Sequence, residues 1–196
     1  MSSKIIGFDD WLESPPGRYL LAWEQERYDE LVADCFGYHA LQLGLPRLQG
    51  LRANRIQHRW LAVNAAAIGA AEGGPAPALW ADAVQLPFPA ASVDLVLMPH
   101  TLELSVSPHA ALREAARVLV PEGRVLISGV NPWSLWGLRQ SRMQWFRRLG
   151  ASGPLFIPDA QEFFSPWRLR DWLRLLDLEV ETVSFGCFRP AIRGGG

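Results

Sequence analysis

Residues 79–130 alternate short apolar runs with one amphipathic stretch, and the order of these pieces predicts the architecture of the chain. Residues 93–98 are apolar but for Asp94, the pattern of a strand buried on both faces of a sheet. From Pro108 to about Leu119, Leu112, Ala115, Ala116 and Leu119 recur at helical spacing while Arg113 and Glu114 take the other face. This predicts a helix with Ser107 as its N-cap and proline at its first position. Pro121, Glu122 and Gly123 then predict a turn into a strand over residues 124–128, and residues 79–81 read as a brief strand before them.

The flanks follow the same logic with weaker signals. Leu20, Leu21, Tyr28, Leu31 and Val32 predict a helix from about Arg18 to Cys35, with Pro15, Pro16 and Gly17 as the turn before it. Residues 38–43 and 60–63 read as short buried strands. Gly44 and Pro46 break the chain after the first of these, and residues 48–54 form a turn or short helix. Residues 65–77, rich in alanine, glycine and proline, read as a loop. Ser165 and Pro166 start a helix with Leu169, Trp172, Leu173 and Leu176 on its apolar face, and residues 179–183 and 184–188 supply two last strands or one bent one. The alternation predicts a parallel α/β sheet covered on both faces.

Composition narrows the class. A chain of 196 residues makes one domain and buries about 70% of its unfolded surface. With 49% hydrophobic and 20% charged residues it is an ordinary globular protein, and no apolar run approaches the roughly 20 residues of a membrane span. The start, MSSKIIGFDDW, lacks the apolar stretch of a secretion signal, so a cytoplasmic protein is expected. Cys35 and Cys187 are far apart and belong to no Cys-x-x-Cys pair; buried thiols are expected, with neither a disulfide nor a metal site. A net charge of -1 makes nucleic acid an unlikely partner. One local feature departs from this average. Residues 131–150 hold Trp133, Trp136 and Trp145 with Arg139, Arg142, Arg147 and Arg148 and no acidic residue. Such a segment suits a lid over an apolar anionic substrate, a contact with a protein or a membrane surface, or an extension of the core with a solvated basic face.

In an open α/β sheet ligands bind beyond the carboxyl ends of the strands. The residues to weigh are therefore Gly44 to Leu48, Asn64, Asp82 with Ala83, Pro99 with His100 and Thr101, and Gly129 to Trp133. Asp82 is either a turn cap or a ligand acceptor. His100 is either a general base, with Glu103 three residues on to orient it, or a histidine bonded to backbone. Asp94 reads as a strand-start residue.

The run Leu86-Pro-Phe-Pro through Val93-Asp-Leu-Val-Leu, with Asp82-Ala83 before it and the helix and strand after it, resembles the class I S-adenosylmethionine-dependent methyltransferases. The likeness extends from about Phe36 to Cys187. It implies a Rossmann-like three-layer sandwich with a mostly parallel seven-stranded sheet, a single domain over residues 1–196, and residues 131–150 as an insertion where relatives carry a substrate-binding element. It also implies S-adenosylmethionine as cofactor and a small or macromolecular methyl acceptor. In this family the first strand ends in an acidic residue and G-x-G-x-G. Here Gln42 stands at the acid, Gly44 keeps the first glycine with Leu45 beside it, and Pro46 and Leu48 replace the other two. Proline offers no N–H, and leucine is expected to crowd the methionine end of the cofactor. Asn64 takes the place of the ribose-binding acid, able to accept one hydrogen bond without charge. Asp82 matches the acceptor of the adenine amino group, Ala83 the N–H that serves the ring, and Pro99 and His100 the positions facing cofactor and substrate. The resemblance therefore implies methyl transfer, while the altered loop keeps open a rival: a non-catalytic binding module of the same fold.

Overall fold

The computed structural model describes residues 7–64, 75–148 and 163–188. The described chain runs α1 (Phe8–Leu12), α2 (Pro15–Ala33), β1 (His39–Leu43), β2 (His58–Val63), β3 (Leu79–Trp80), β4 (Val93–Pro99), α3 (Thr101–Leu104), α4 (Pro108–Val118), β5 (Leu119–Ser128), α5 (Leu135–Arg148) and α6 (Pro166–Arg174). All strand pairs are parallel, in the order β3-β2-β1-β4-β5. This is a Rossmann-like α/β sheet. Its core divides in two: Tyr28, Val32, Leu48, Leu95 and Leu97 pack on one face, and Leu41, Val96, Met98, Leu112 and Ala115 on the other. The alternation of Leu95, Val96, Leu97 and Met98 between the two clusters explains why β4 is apolar throughout.

The sheet has five strands among the described residues, against the seven expected. Residues 179–188 form no strand. Gly186 lies so close to the indole of Trp23 that a Cβ there would sit 2.1 Å from the ring, and Cys187 takes the left-handed conformation with φ 58°. The segment is thus fastened across α2, with its extended geometry interrupted. The expected turn at Pro121, Glu122 and Gly123 is instead a bulge within β5: the register with β4 shifts between Val93 and Leu95, and Glu122 has φ 65°. The expected loop over residues 65–77 falls largely outside the described residues.

The helices begin as their sequences dictate. Ser14 Oγ accepts from Gly17 N–H at 3.3 Å, so Pro15 and Pro16 belong to the first turn of α2. Ser165 caps α6 in the same way, from Arg168 N–H at 3.3 Å. Ser107 occupies the cap position of α4 without a side-chain bond, and Pro108 supplies the start.

Two carboxylates fasten the loops between elements. Asp94 Oδ2 accepts from the N–H groups of Tyr38 and His39 at 2.9 and 2.8 Å, which ties the start of β1 to β4. Glu114 on α4 accepts from Leu86 N–H at 2.8 Å, and Arg117 donates to the carbonyls of Leu86 and Phe88. The Leu86-Pro-Phe-Pro run is therefore pinned along α4, which holds the end of β3 in place. Among the described residues no helix is long and apolar enough to cross a membrane.

Candidate functional site

Chain order runs outward from β1 through β2 to β3 on one side and from β4 to β5 on the other, so strand order reverses between β1 and β4. In sheets of this kind ligands bind where the loops leaving two such strands part, at their carboxyl ends. Thr101 Oγ1 bridges the two here by donating to Leu43 O at 2.9 Å.

On the β1 side the loop is wound around Gln42. Its amide Nε2 donates to the carbonyls of Gly44, Leu45 and Leu48 at 3.1, 3.0 and 2.7 Å, and its Oε1 accepts from Gly50 N–H at 3.0 Å. A carboxylate at this position has no proton to give three carbonyls, so the course of the loop depends on the amide. Leu45, with φ 46°, and Pro46 are buried, and Leu48 points into the core. The expectation that Leu48 crowds the crevice is corrected accordingly: its side chain packs behind the loop. Gly50 is required by close approach, since a Cβ there would lie 2.8 Å from Leu97 Cδ1. Gly44, at φ 72°, faces open space, with no atom within 4 Å of where its Cβ would be.

Asn64 is exposed just beyond β2, and Asp82 is exposed just beyond β3, the neighbouring strand. Asp82 Oδ1 accepts from Val84 N–H at 3.1 Å, the turn-capping arrangement, with Ala83 half-buried between them.

On the β4 side Pro99 is buried as the last strand residue, and His100 follows in the left-handed conformation with φ 51°. His100 is wholly enclosed. Its Nδ1 lies 2.6 Å from Glu103 Oε2 and its Nε2 2.9 Å from Glu24 Oε1. The second oxygen of Glu103 accepts from Val130 N–H, just past β5. The Phe8 ring covers the imidazole at 5.1 Å. Burial works against a charged ring, but the carboxylates of Glu24 and Glu103 outweigh it, and His100 is pushed up to about 10. Burial likewise raises Glu103, against the lowering effects of His100 and of the Val130 amide. The Val130 N–H bond favours the carboxylate form of Glu103, and the two carboxylates favour the protonated ring.

A family model described as a methyltransferase domain matches residues 56–127. An uncharacterized protein, YafS of Escherichia coli (strain K12), is 33% identical over 193 residues, covering 98% of this chain and 74% of its own. The chain belongs to the class I S-adenosylmethionine-dependent methyltransferase family. Solved structures share the fold. A possible histamine N-methyltransferase from Thermotoga maritima superposes with a TM-score of 0.58 at 20% identity, over 81% of this chain and 75% of the other. The putative methyltransferase bound to the Trm112 activator of Haloferax volcanii gives 0.57 at 19%, over 86% and 75%.

Around these loops lie residues that periodicity passed over. Glu24 lies on the stripe of Leu20, Tyr28 and Val32, where a carboxylate among apolar neighbours at i±4 is itself a signal of a buried partner. Gln42 stood out for the acid it lacks, whereas its donors organise the loop. Phe8 and α1 carried no readable pattern.

Proposed function

We propose that this protein transfers the methyl group of S-adenosylmethionine to a small or macromolecular acceptor at the crevice between the β1 and β4 loops. The open space before Gly44 carries this reading, because it leaves room for a ligand against the backbone where strand order reverses. The residues beyond β2 and β3 suit the adenosine end. Asn64 offers a neutral acceptor to a ribose hydroxyl. Asp82 keeps one oxygen for its own turn and offers the other to the adenine amino group, beside the Ala83 N–H. Gly44 and Leu45 take the methionine end, with Pro99 as the opposite wall.

When bound, the cofactor supplies an already activated sulfonium methyl, so the protein's task is alignment and exclusion of water. His100 serves that task from within. Its Nδ1 is hydrogen-bonded to Glu103, its Nε2 lies 2.9 Å from Glu24 and the ring has no exposure to solvent, so the imidazole shapes the β4 loop and is closed off from a substrate. The chain acts as one domain over residues 1–196, with residues 131–150 as its insertion. In that segment Trp133, Leu135, Leu138 and Trp145 are exposed together with Arg139 and Arg142, a face suited to contact with a protein or a membrane surface. Substituting Trp133 and Trp145 by serine should abolish such contact while leaving the fold intact. Both cysteines are free thiols, which suits a reducing, cytoplasmic setting.

The test is calorimetric titration with S-adenosylmethionine and S-adenosylhomocysteine. Saturable one-to-one binding, weakened by Asp82→Ala, is expected. If neither ligand binds at millimolar concentration, the chain is a binding module and the enzymatic reading falls.

A further inference from the structure

Glu24, His100 and Glu103 join three elements that are distant in sequence: α2, the β4–α3 junction and the segment after β5. We infer that these residues form a buried clamp that positions the segment from Gly129 to Trp136, which follows β5 at the carboxyl edge of the sheet. The inference rests on the methyltransferase reading for its consequence, and on geometry for its existence. Each link is direct. Glu24 holds Nε2 of His100 at 2.9 Å, His100 Nδ1 holds Glu103 at 2.6 Å, and Glu103 holds Val130 N–H with its other oxygen. Gly129 is packed on the same carboxylate, where a Cβ would lie 3.0 Å from Glu103 Oε1. A second path leads from the clamp to α5 through rings: Phe8 lies 5.1 Å from His100, Trp11 5.8 Å from Phe8, and Trp136 6.0 Å from Trp11.

The clamp is a charged device in an enclosed setting. Glu24 from α2, Glu103 from α3 and the Phe8 ring from α1 lie against the His100 ring, the Ser128 carbonyl accepts from His100 N–H at 3.0 Å, and Tyr28 and Cys187 lie near Glu24. Two of these groups are carboxylates and none is cationic, which favours the protonated ring. Glu24 Oε2 and His100 Nε2 are both buried without a hydrogen-bond partner among the described residues, so Glu24 faces the ring as an ion pair at 2.9 Å and not through an aligned hydrogen bond. Since His100 has no exposure to solvent, the clamp acts by position and touches no substrate. Neutralising Glu103 should release the Val130 segment and return His100 to ordinary titration, while the adenosine end, held across the sheet by Asn64 and Asp82, stays in place.

The experiment compares the wild-type chain with Glu103→Gln and with the milder Glu24→Gln, which serves if the first fails to fold. Histidine-labelled protein is titrated by NMR, hydrogen exchange is followed over residues 129–136, and S-adenosylhomocysteine affinity is measured by calorimetry. In the wild type, His100 should remain protonated from pH 6 to above 8 and the segment should be protected uniformly across that range. Each variant should lower the His100 midpoint and speed exchange of the segment by about tenfold or more, with affinity changed by less than about threefold. A wild-type His100 midpoint below 7, or exchange unchanged in the variants, would overturn the clamp. Absence of S-adenosylhomocysteine binding by the wild type would instead strike the methyltransferase reading, leaving the titration and exchange results to decide the clamp.

Discussion

Gln42 and His100 stand at the carboxyl ends of adjacent strands, both buried, and each closes the loop that follows it, but they do so with opposite chemistry. Gln42 is neutral and turns the carbonyls of Gly44, Leu45 and Leu48 toward one amide. His100 is charged and draws in carboxylates from two helices. The first loop is therefore indifferent to pH and intolerant of charge, whereas the second depends on a proton. The contrast shows that a neutral amide can close the loop at this position. At the position that the resemblance aligns with an acid, this chain closes the loop with the amide of Gln42.

Restoring the family's acid should do the most damage. Gln42→Glu sets a buried carboxylate against three carbonyls and should cost about 4 kcal/mol of stability in urea denaturation, with the carboxyl taking up a proton. Unchanged stability would mean that the loop rewinds onto the family's course without cost. On the β4 side the sensitive variable is pH. His100 is raised in the folded state above its ordinary 6.5, to about 10. Its stabilisation is therefore full below pH 6.5 and is lost as pH climbs toward 10. Thermal unfolding should show roughly 2 to 3 kcal/mol less stability at pH 10 than at pH 7, a slope that His100→Gln removes. Gln42→Ala should lower stability at every pH by the same amount, which sharpens the contrast.

Smaller effects concern the crevice between the two loops. Asp82→Ala should weaken S-adenosylhomocysteine binding about tenfold in calorimetry while shifting stability by under about 0.5 kcal/mol, because Asp82 is exposed. Pro46→Gly should tighten binding about two- to threefold by returning an N–H to the loop. Weaker binding in that variant would mean that the loop, although closed, is not the surface that meets the cofactor.

Much of this was legible in the residues, for reasons that differ by region. The strand over residues 93–99 and the helix from Pro108 were readable because each has a single periodicity and a clear boundary. The helix around residues 15–33 was also readable, but its charged member was not. Periodicity counts apolar positions, and Glu24 becomes meaningful only once His100, 76 positions away, is placed against it. The two last strands were misjudged because residues 179–188 alternate as strands do, yet Gly186 and Cys187 are committed to Trp23 and the core. At the site, the positions after strands could be singled out for inspection, but a sequence cannot tell an inward carbonyl from an inward amide. That distinction decides whether Gln42 is a defect or a substitute.

The central claim is that a loop closed on Gln42 still leaves a working cofactor crevice. Calorimetric titration of the wild-type chain with S-adenosylhomocysteine at neutral pH tests it most directly. The account predicts saturable one-to-one binding at sub-millimolar concentration; no binding at millimolar ligand, in a preparation whose cooperative unfolding shows it to be folded, would contradict it.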